Sequence, residues 1–309
     1  MSSNFLSRVK NRLKAVIPDK RVEREQFAEL RDLVLGTKID VKLRMDEVNA
    51  RLDELSKQSD VVKTIASHNF DHIFELRRDL LKVRQTSEYE KLFNEVHPLV
   101  SVRIATWNNP ELLIERAIKS VLKQSYDNWE IIVVGDCCDD DTENRVKSLN
   151  DSRISFYNMP HRGVYPKDRL KRWQVAGSPG MNRGAELARG QWIAPLDDDD
   201  EFSEDHIEVL LEKALSGRFE CVYGNIEQVF LPENTRKVIG TYPPEEGEIS
   251  SQAFIYPKLL NFFECETQSW KVNEPGDWNL IRRMLEAGVL FGKVDKTVST
   301  IYRLPPGSK

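Results

Sequence analysis

The sequence lacks proline over a long stretch near its start. No proline occurs between Pro18 and Pro98, and Gly36 is the only glycine in that interval. Proline and glycine are the residues that most strongly disfavour a helix interior. Their near absence therefore predicts a long helix in this part of the chain.

Long apolar runs and CxxC cysteine pairs are also missing. No apolar run approaches the roughly 20 residues that a membrane-spanning helix needs, and no signal-peptide pattern is visible. The four cysteines form no CxxC pair, which excludes the usual zinc and disulfide patterns. At a net charge of −5 the 309-residue chain lacks the basic excess of nucleic-acid-binding domains, so we expect no nucleic-acid partner. We expect a cytoplasmic protein, either free or peripheral at the inner face of the membrane.

A heptad repeat of apolar residues fills the proline-free interval. Counting every seventh residue from Phe27 to Val83, eight of nine positions are apolar, and Asn69 is the exception. Such a repeat is typical of a coiled coil. We therefore predict a coiled-coil region at 21–95 that forms a homo-oligomer through residues 27–83. The alternative is a long helix that lies on the catalytic domain of its own chain.

Residues 1–17 combine an apolar and a basic helical face. The apolar face consists of Phe5, Val9, Leu13 and Val16, and lysines and arginines flank it. Basic amphipathic helices are typical of segments that bind membrane surfaces. We predict such a helix at 1–20 and a membrane contact through 1–17; a solvated extension of the coiled coil, or a helix that packs on a partner, is the alternative.

From Leu99 onwards, short β-rich runs alternate with helical segments. The runs are LVSVRIA, EIIVV, RISFYN and QWIAPL, and helix-start signals such as Asn109–Pro110 and Ser178–Pro179 lie between them. Short links between alternating strands and helices predict a mostly parallel sheet with helices on both faces. The predicted fold class of 96–309 is therefore α/β.

Polar residues follow three of these strands. Ala105, Thr106 and Trp107 end the first, Asp136 follows the second, and the run Asp197 to Asp200 follows the fourth. Ligands of open α/β sheets bind at the carboxyl ends of strands. These residues suit a nucleoside diphosphate. The Trp107 ring can stack on a base, Asp136 can accept an N–H of that base, and the aspartate run can hold a divalent cation against the phosphates.

The aspartate run also allows a calcium-loop interpretation. The ligand spacing of a twelve-residue calcium loop is matched by Asp197, Asp199, Glu201, Ser203, Asp205 and Glu208. However, Phe202 stands where such a loop needs glycine, and a strand precedes it instead of a helix. Both features disfavour this interpretation.

Three stretches resemble the family 2 inverting glycosyltransferases of the GT-A fold. They are VSVRIATWNNPELLIERAIKSVLKQSYDNWEIIVVGDCCDDDT, MNRGAELARGQWIAPLDDDDEF and GDWNLIRRMLEAG, in the family's order and spacing. The resemblance covers about residues 99–303 and implies a Rossmann-like mixed sheet. It also implies that one sugar is transferred, with inversion, from a UDP-linked or other nucleotide-sugar to a glycan or lipid-linked acceptor in polysaccharide synthesis. The implied cofactor is a divalent cation, Mn²⁺ or Mg²⁺.

The same resemblance implies roles for individual residues. The implied donor-binding residues are Ala105, Thr106, Trp107, Asp136, Asn182, Asp197 and Asp198. The implied metal ligands are Asp199 and Asp197. Asp277 is the implied catalytic base, although from its position alone it also suits a helix N-cap.

Two other functions are weighed against this one. A nucleotidyltransferase needs a glycine-rich phosphate loop after the first strand, and ATWNNPE is not one. The other is a coiled-coil scaffold that carries a degenerate nucleotide-binding domain. The string RLKRW at 169–173 matches a motif of processive synthases but precedes the aspartates, so we interpret it as a solvated or phosphate-facing loop and predict non-processive transfer.

Overall fold

The computed structural model describes residues 41–56 and 72–303, together with positions 29, 31, 36 and 59. The predicted basic helix at 1–20 lies outside these residues, as does much of the predicted coiled coil. The chain divides into two compact units, Met1–Ala66 and Ser67–Lys309. No helix among the described residues is both long and apolar enough to cross a membrane.

In the first unit, residues 41–56 form a helix, as the heptad pattern predicts. The apolar residues at the heptad positions and four residues after them lie on one face of this helix and are between 55% and 64% exposed. They are Val41, Met45, Val48, Leu52 and Leu55. Such an apolar face would be covered in a coiled coil. The coiled coil itself stays a prediction.

The second unit is built on a nine-stranded mixed sheet. Its strands are β1 Val100–Thr106, β2 Trp129–Gly135, β3 Ile154–Asn158, β4 Trp192–Asp197, β5 Glu201–Phe202, β6 Cys221–Phe230, β7 Thr235–Ile239, β8 Phe254–Pro257 and β9 Phe291–Arg303. The order is β3-β2-β1-β4-β8-β6-β9-β5, and β7 pairs with β6. The first four strands in this order are parallel, whereas β8 runs antiparallel to both of its neighbours.

Two helices precede β1, and the others lie between the strands in the chain. The helices are α1 Ile73–Val83, α2 Ser87–Leu92, α3 from Pro110 to Leu122 with a π-helical part at Leu113–Ile118, α4 Thr142–Ser148, α5 Arg169–Val175, α6 Ser178–Leu187, α7 His206–Gly217 and α8 Gly276–Ala287. Single 3₁₀ turns occur at Ser251–Ala253, Lys258–Leu260 and Ser269–Val272.

Helices cover both faces of the sheet. Successive side chains of a strand point to opposite faces, and in β2 Ile131 and Val133 join a core with residues of α3 and α7. Ile132 and Val134 join a second core with residues of α8. The predicted α/β architecture with two covered faces is therefore confirmed.

The end of the predicted coiled coil belongs to the second unit. His72 has a left-handed backbone conformation at the start of α1, so no regular helix runs through it. In α1, Ile73 and Leu80 are 2% and 1% exposed, and α1 packs against α8. The assignment of 73–83 to the oligomer seam was wrong, because this apolar face is covered by the same chain.

The helix at Pro110 begins as expected, but two predicted N-cap positions shift. The N-cap position of α6 is occupied by Gly177 instead of Ser178. Asp277 lies inside the first turn of α8, because Pro275 is its N-cap residue. The carboxylate of Asp277 accepts a hydrogen bond from the backbone N–H of Trp278 at 2.8 Å.

A buried ion pair fixes the chain between α1 and α2 to the sheet. The Arg84 guanidinium contacts both carboxylate oxygens of Glu220 at 2.6 and 2.7 Å. The Glu220 side chain is fully buried, and it also accepts a hydrogen bond from the Tyr89 hydroxyl at 2.7 Å. Removing one partner of a buried ion pair leaves an uncompensated charge.

We therefore expect Arg84→Met to lower the free energy of unfolding by about 2–3 kcal/mol, measured by urea denaturation. The loss is smaller than for a fully buried ion pair because Arg84 is partly exposed and Glu220 keeps other donors. Arg78→Met, which breaks an exposed pair with Asp79, should change it by less than about 1 kcal/mol. Equal effects of the two substitutions would contradict the anchoring role of Arg84.

Candidate active site

The candidate site lies where the strand order reverses. The chain runs outward from β1 to β2 and β3, then returns to place β4 on the other side of β1. Such a switch point leaves a crevice at the carboxyl ends of the two central strands. Ala105 of β1 is in register with Asp197 of β4, and Thr106 is in register with Gly135 of β2. The sheet thus brings the three predicted polar clusters to one edge.

The ends of β1 and β4 are joined by a hydrogen bond. The Thr106 hydroxyl lies 2.6 Å from a carboxylate oxygen of Asp198, which fixes the direction of the aspartate turn. Ala105 faces the start of α6, where a Cβ added to Gly180 would come within 3.0 Å of the Ala105 Cβ. The small side chain of Ala105 therefore serves close packing of α6.

The loop after β3 covers the position predicted for the nucleotide base. Asp136 is 4% exposed, and its two oxygens accept hydrogen bonds from Gly163 N–H and the Tyr165 hydroxyl, both at 2.7 Å. The guanidinium carbon of Arg162 lies 3.3 Å from the centroid of the Trp107 ring. In this conformation the loop occupies the contacts that a base was expected to make with Trp107 and Asp136. In the sequence this loop stood out by its basic residues. Its contacts with Trp107 and Asp136 could not be predicted from that feature.

The aspartates after β4 occupy unequal environments. Burial, and then the charges of Asp200, Asp199, Asp277 and Asp198, raise the pKa of Asp197 well above its ordinary value. The Oδ1 atom of Asp197 is buried and has no hydrogen-bond partner.

Asp200 is also buried, and it is held on both sides. Burial and the neighbouring Asp199 raise its pKa to about 7. One of its oxygens accepts the Tyr302 N–H at 2.9 Å, and the other accepts a hydrogen bond from the Gln252 amide. Both carboxylate oxygens of Asp200 thus accept hydrogen bonds from the protein, which leaves Asp200 little freedom to bind a ligand.

A buried amide and a hydroxyl connect this cluster to Asp277. The Gln252 amide nitrogen donates to Asp197 at 2.7 Å and to Asp200. Its amide oxygen lies 2.9 Å from the Ser250 hydroxyl, which lies 2.8 Å from a carboxylate oxygen of Asp277. The structure therefore brings Asp197 and Asp277 to one site. Neither Ser250 nor Gln252 had been predicted, because SSQAF matches no catalytic pattern.

The hydrogen bonds that link Gln252, Ser250 and Asp277 can be arranged both for an ionised and for a protonated Asp277. The Ser250 hydroxyl has one hydrogen, so it donates either to an ionised Asp277 or to Gln252. In the first state Ser251, whose hydroxyl lies 3.1 Å from the same amide oxygen, can donate to Gln252 instead. In the second state a protonated Asp277 donates to Ser250. The network thus satisfies Asp277 both before and after it takes up a proton.

Asn182 does not face the site. Its amide nitrogen donates to the Cys265 carbonyl at 2.9 Å, and its amide oxygen accepts the Cys265 N–H at 2.7 Å. Both halves of the amide are thus used to fix the loop before α8. The structure gives Asn182 a structural position in place of the predicted donor contact.

Comparisons with known proteins identify the family of this chain. The family model for Glycosyl transferase family 2 matches residues 101–270, which is more than half of the chain and includes β1 from Ser101 onwards, the aspartate run and Gln252. The chain belongs to glycosyl transferase family 2. The resemblance seen in the sequence is thereby confirmed for this part of the chain.

Two relatives of this chain are named as glucosyltransferases. The UDP-Glc:alpha-D-GlcNAc-diphosphoundecaprenol beta-1,3-glucosyltransferase WfgD of Escherichia coli is 31% identical over 163 residues, covering 52% of this chain and 55% of the relative. The GalNAc(5)-diNAcBac-PP-undecaprenol beta-1,3-glucosyltransferase of Campylobacter jejuni is 29% identical over 168 residues, covering 54% and 50%. The chain therefore spans about half the length of these curated relatives.

A solved structure shares the fold. The S. aureus TarS 1–349 structure in complex with UDP has a TM-score of 0.52 and 17% identity, and the match covers 66% of this chain and 60% of that one. At this identity the likeness concerns the fold alone, and it supports a GT-A-like sheet.

The donor set of this family 2 chain partly fits a divalent cation. The unpartnered Asp197 oxygen lies in an excess of negative charge, and hard cations prefer carboxylate oxygens. Within 41–56 and 72–303, however, no three His, Cys, Asp or Glu side chains are grouped to hold a metal. The calcium-loop interpretation was wrong, because Asp205 pairs with Lys296 and Glu208 bonds to Ser125 instead.

The crowded aspartates predict how stability depends on pH when no cation is present. The pKa of Asp200 is about 7 in the fold, compared with an ordinary value of 3.8. The unfolded chain releases this proton more readily, so folding stability should fall as pH rises from about 4 to about 7. We expect the melting temperature in EDTA to fall over this range.

Asp200→Asn should flatten this fall, whatever its effect on the melting temperature at pH 4. Glu212→Gln, which removes an exposed carboxylate on α7, should leave the slope as in the parent protein. A slope that is unchanged in Asp200→Asn would assign the pH dependence to other groups.

Proposed function

We propose that this family 2 chain is a cation-dependent, inverting glycosyltransferase that moves one sugar from a UDP-linked donor to a lipid-linked glycan acceptor. The observation that carries the proposal is the connection of Asp277 through Ser250 and Gln252 to Asp197. It brings a candidate base next to the buried acids Asp197 and Asp200.

The chemistry follows from where charge develops. When the bond between the sugar and the phosphate breaks, its electron pair goes to the departing diphosphate. A divalent cation, held by Asp197 and Asp199 and by phosphate oxygens of the donor, would stabilise that charge by several kcal/mol.

Asp277 would act on the acceptor. As the acceptor oxygen bonds to the sugar carbon, its proton passes to Asp277, and such general-base catalysis contributes about 10²–10⁴-fold. Attack from the side opposite the diphosphate inverts the configuration at that carbon. The hydrogen-bond arrangement of Ser250 suits this role, because it accommodates Asp277 with and without the proton.

The names of the two relatives support the proposed donor and acceptor classes. WfgD takes a UDP-linked glucose and a diphosphoundecaprenol-linked acceptor, and the C. jejuni relative acts on a PP-undecaprenol-linked glycan. We extend a UDP-sugar donor and a lipid-linked acceptor in polysaccharide synthesis to this chain. For Trp107 and Asp136 to bind the base, the loop with Arg162 and Tyr165 has to move away from them.

We predict that Asp277→Asn retains donor binding but lowers transfer by at least about 100-fold. Donor binding is measured as the rise in melting temperature with a panel of UDP-sugars and Mn²⁺. Transfer of the stabilising sugar is measured on membranes containing undecaprenyl-diphosphate glycans. Asp197→Asn should remove the effect of Mn²⁺ on donor binding.

Asp295→Asn serves as the control, because this exposed carboxylate of β9 lies outside the site. It should match the parent protein in both measurements. Normal transfer by Asp277→Asn would remove Asp277 from the mechanism, and the absence of stabilisation by any UDP-sugar would favour a degenerate scaffold domain.

We also propose that the first unit oligomerises the protein as a coiled coil. The exposed apolar face of 41–56 is the part of the predicted seam that the structure describes. Leu52→Asp should shift the mass measured by light scattering towards the 35.8 kDa of one chain. Asn49→Asp adds the same charge beside the seam and should retain the larger mass; a larger mass retained by Leu52→Asp would contradict the coiled coil.

Membrane contact through 1–17 concerns residues outside the described part of the chain, so it stays a prediction. We place the protein at the inner face of the membrane because a lipid-linked acceptor is presented at a membrane surface. The two proposed contacts would act together, since an oligomer presents several weak membrane contacts at once.

A further inference from the structure

The segment from Arg162 to Trp173 exposes apolar and basic side chains together. Val164, Leu170 and Trp173 are 91%, 62% and 56% exposed. The cations are Arg162, Lys167, Arg169, Lys171 and Arg172, all exposed, and Asp168 is the only acid of the segment. We call the exposed residues 164–173 the α5 surface. It is strongly basic although the chain as a whole has a net charge of −5.

The fold holds these apolar side chains outward. Asp168 caps α5 by accepting the Lys171 N–H at 3.0 Å. The end of the helix is anchored by Val175, which is 1% exposed, and by a hydrogen bond from Gln174 to Asn273 at 3.1 Å. The part 169–173 is exposed at every residue. Exposure of a leucine and a tryptophan one helical turn apart costs free energy in water unless another surface covers them.

The α5 surface borders the candidate active site at both ends. On one side, Gly163 and Tyr165 bond to Asp136, and Arg162 lies on Trp107. On the other side, the Gly276 backbone packs closely against α5, because a Cβ added there would lie 3.1 Å from the Gln174 carbonyl oxygen. Asp277 is the next residue in the chain. Whatever covers the α5 surface therefore lies next to the segments that carry Trp107, Asp136 and Asp277.

We propose that the α5 surface docks on an anionic lipid bilayer and turns the opening of the site towards it. The charge complementarity selects the occupant: lysines and arginines are attracted to anionic headgroups, while leucine and tryptophan side chains partition into the interface. The Lys171 ammonium group lies 5.3 Å from the ring centroid of Trp270, which extends the surface with a second indole. The docking itself is independent of the proposed function, which adds only that the acceptor is carried by that bilayer.

Insertion of Trp173 provides a local measurement on the full chain. Vesicles of phosphatidylcholine brominated on the acyl chains, with roughly 30 mol% phosphatidylglycerol, should quench the tryptophan fluorescence of the parent protein. Trp173→Phe should lose most of this quenching while it still binds the vesicles. Equal quenching in Trp173→Phe would overturn the proposal, even if residues 1–17 bring the protein to the membrane.

Charge reversal tests the orientation. Arg169→Glu/Lys171→Glu should lower the vesicle partition coefficient by at least about tenfold, measured by co-sedimentation. Lys91→Glu/Lys123→Glu makes the same change in net charge at exposed positions outside the α5 surface and should lower it far less. An equal loss in both would show that overall charge governs binding and would overturn the α5 surface as the docking face.

Both double variants should keep the melting temperature and the stabilisation by UDP-sugars of the parent protein. Loss of vesicle binding with intact donor binding supports docking, whatever the outcome for Asp277. Intact vesicle binding with no donor binding by the parent protein would contradict the proposed function and leave the docking face standing.

Discussion

The mutual repulsion of carboxylates at the end of β4 is the constraint that the site depends on. Burial disfavours the ionised forms of both Asp197 and Asp200 most strongly, and the like charges of their neighbours add to the effect. The surrounding protein offsets part of this cost through N–H donors from Gln252 and Tyr302. One oxygen of Asp197 is left without a partner. An acid cluster of this kind attracts cations, and hard divalent cations prefer carboxylate oxygens.

The sheet topology explains how remote segments contribute to this cluster. The return of the chain to the other side of β1 places Thr106 beside Asp198. The antiparallel β8 then brings Gln252, just ahead of it in the chain, against Asp197 from the opposite direction. α8 adds Asp277 within reach of Ser250. Residues from four separate parts of the chain therefore meet at one edge of the sheet, where no single motif could have placed them.

Much of this fold could be predicted from local pattern, and part of the site could not. Strands such as EIIVV and the helix that starts at Pro110 follow from apolar runs and start signals. Asp197 and Asp277 stood out because their surroundings resemble family motifs. Ser250 and Gln252 carry no such signal, because a hydroxyl and an amide become relevant only through what lies 2.7 to 2.9 Å away. Asn182 shows the converse case: it lies within a motif, but its amide bonds to the backbone of Cys265.

The sequence by itself determined where apolar faces and charges would lie, because the periods of helix and strand are fixed by backbone geometry. It therefore determined the α/β alternation, the acid run at the end of a strand and the heptad face between Phe27 and Val83. The tertiary structure alone decided what covers each face. It packed the last part of the heptad face, at Ile73 and Leu80, onto α8 of the same chain, and it closed the loop with Arg162 over Trp107. The physical reason is that burial of apolar surface has no direction of its own, so a pattern fixes the face but not its partner.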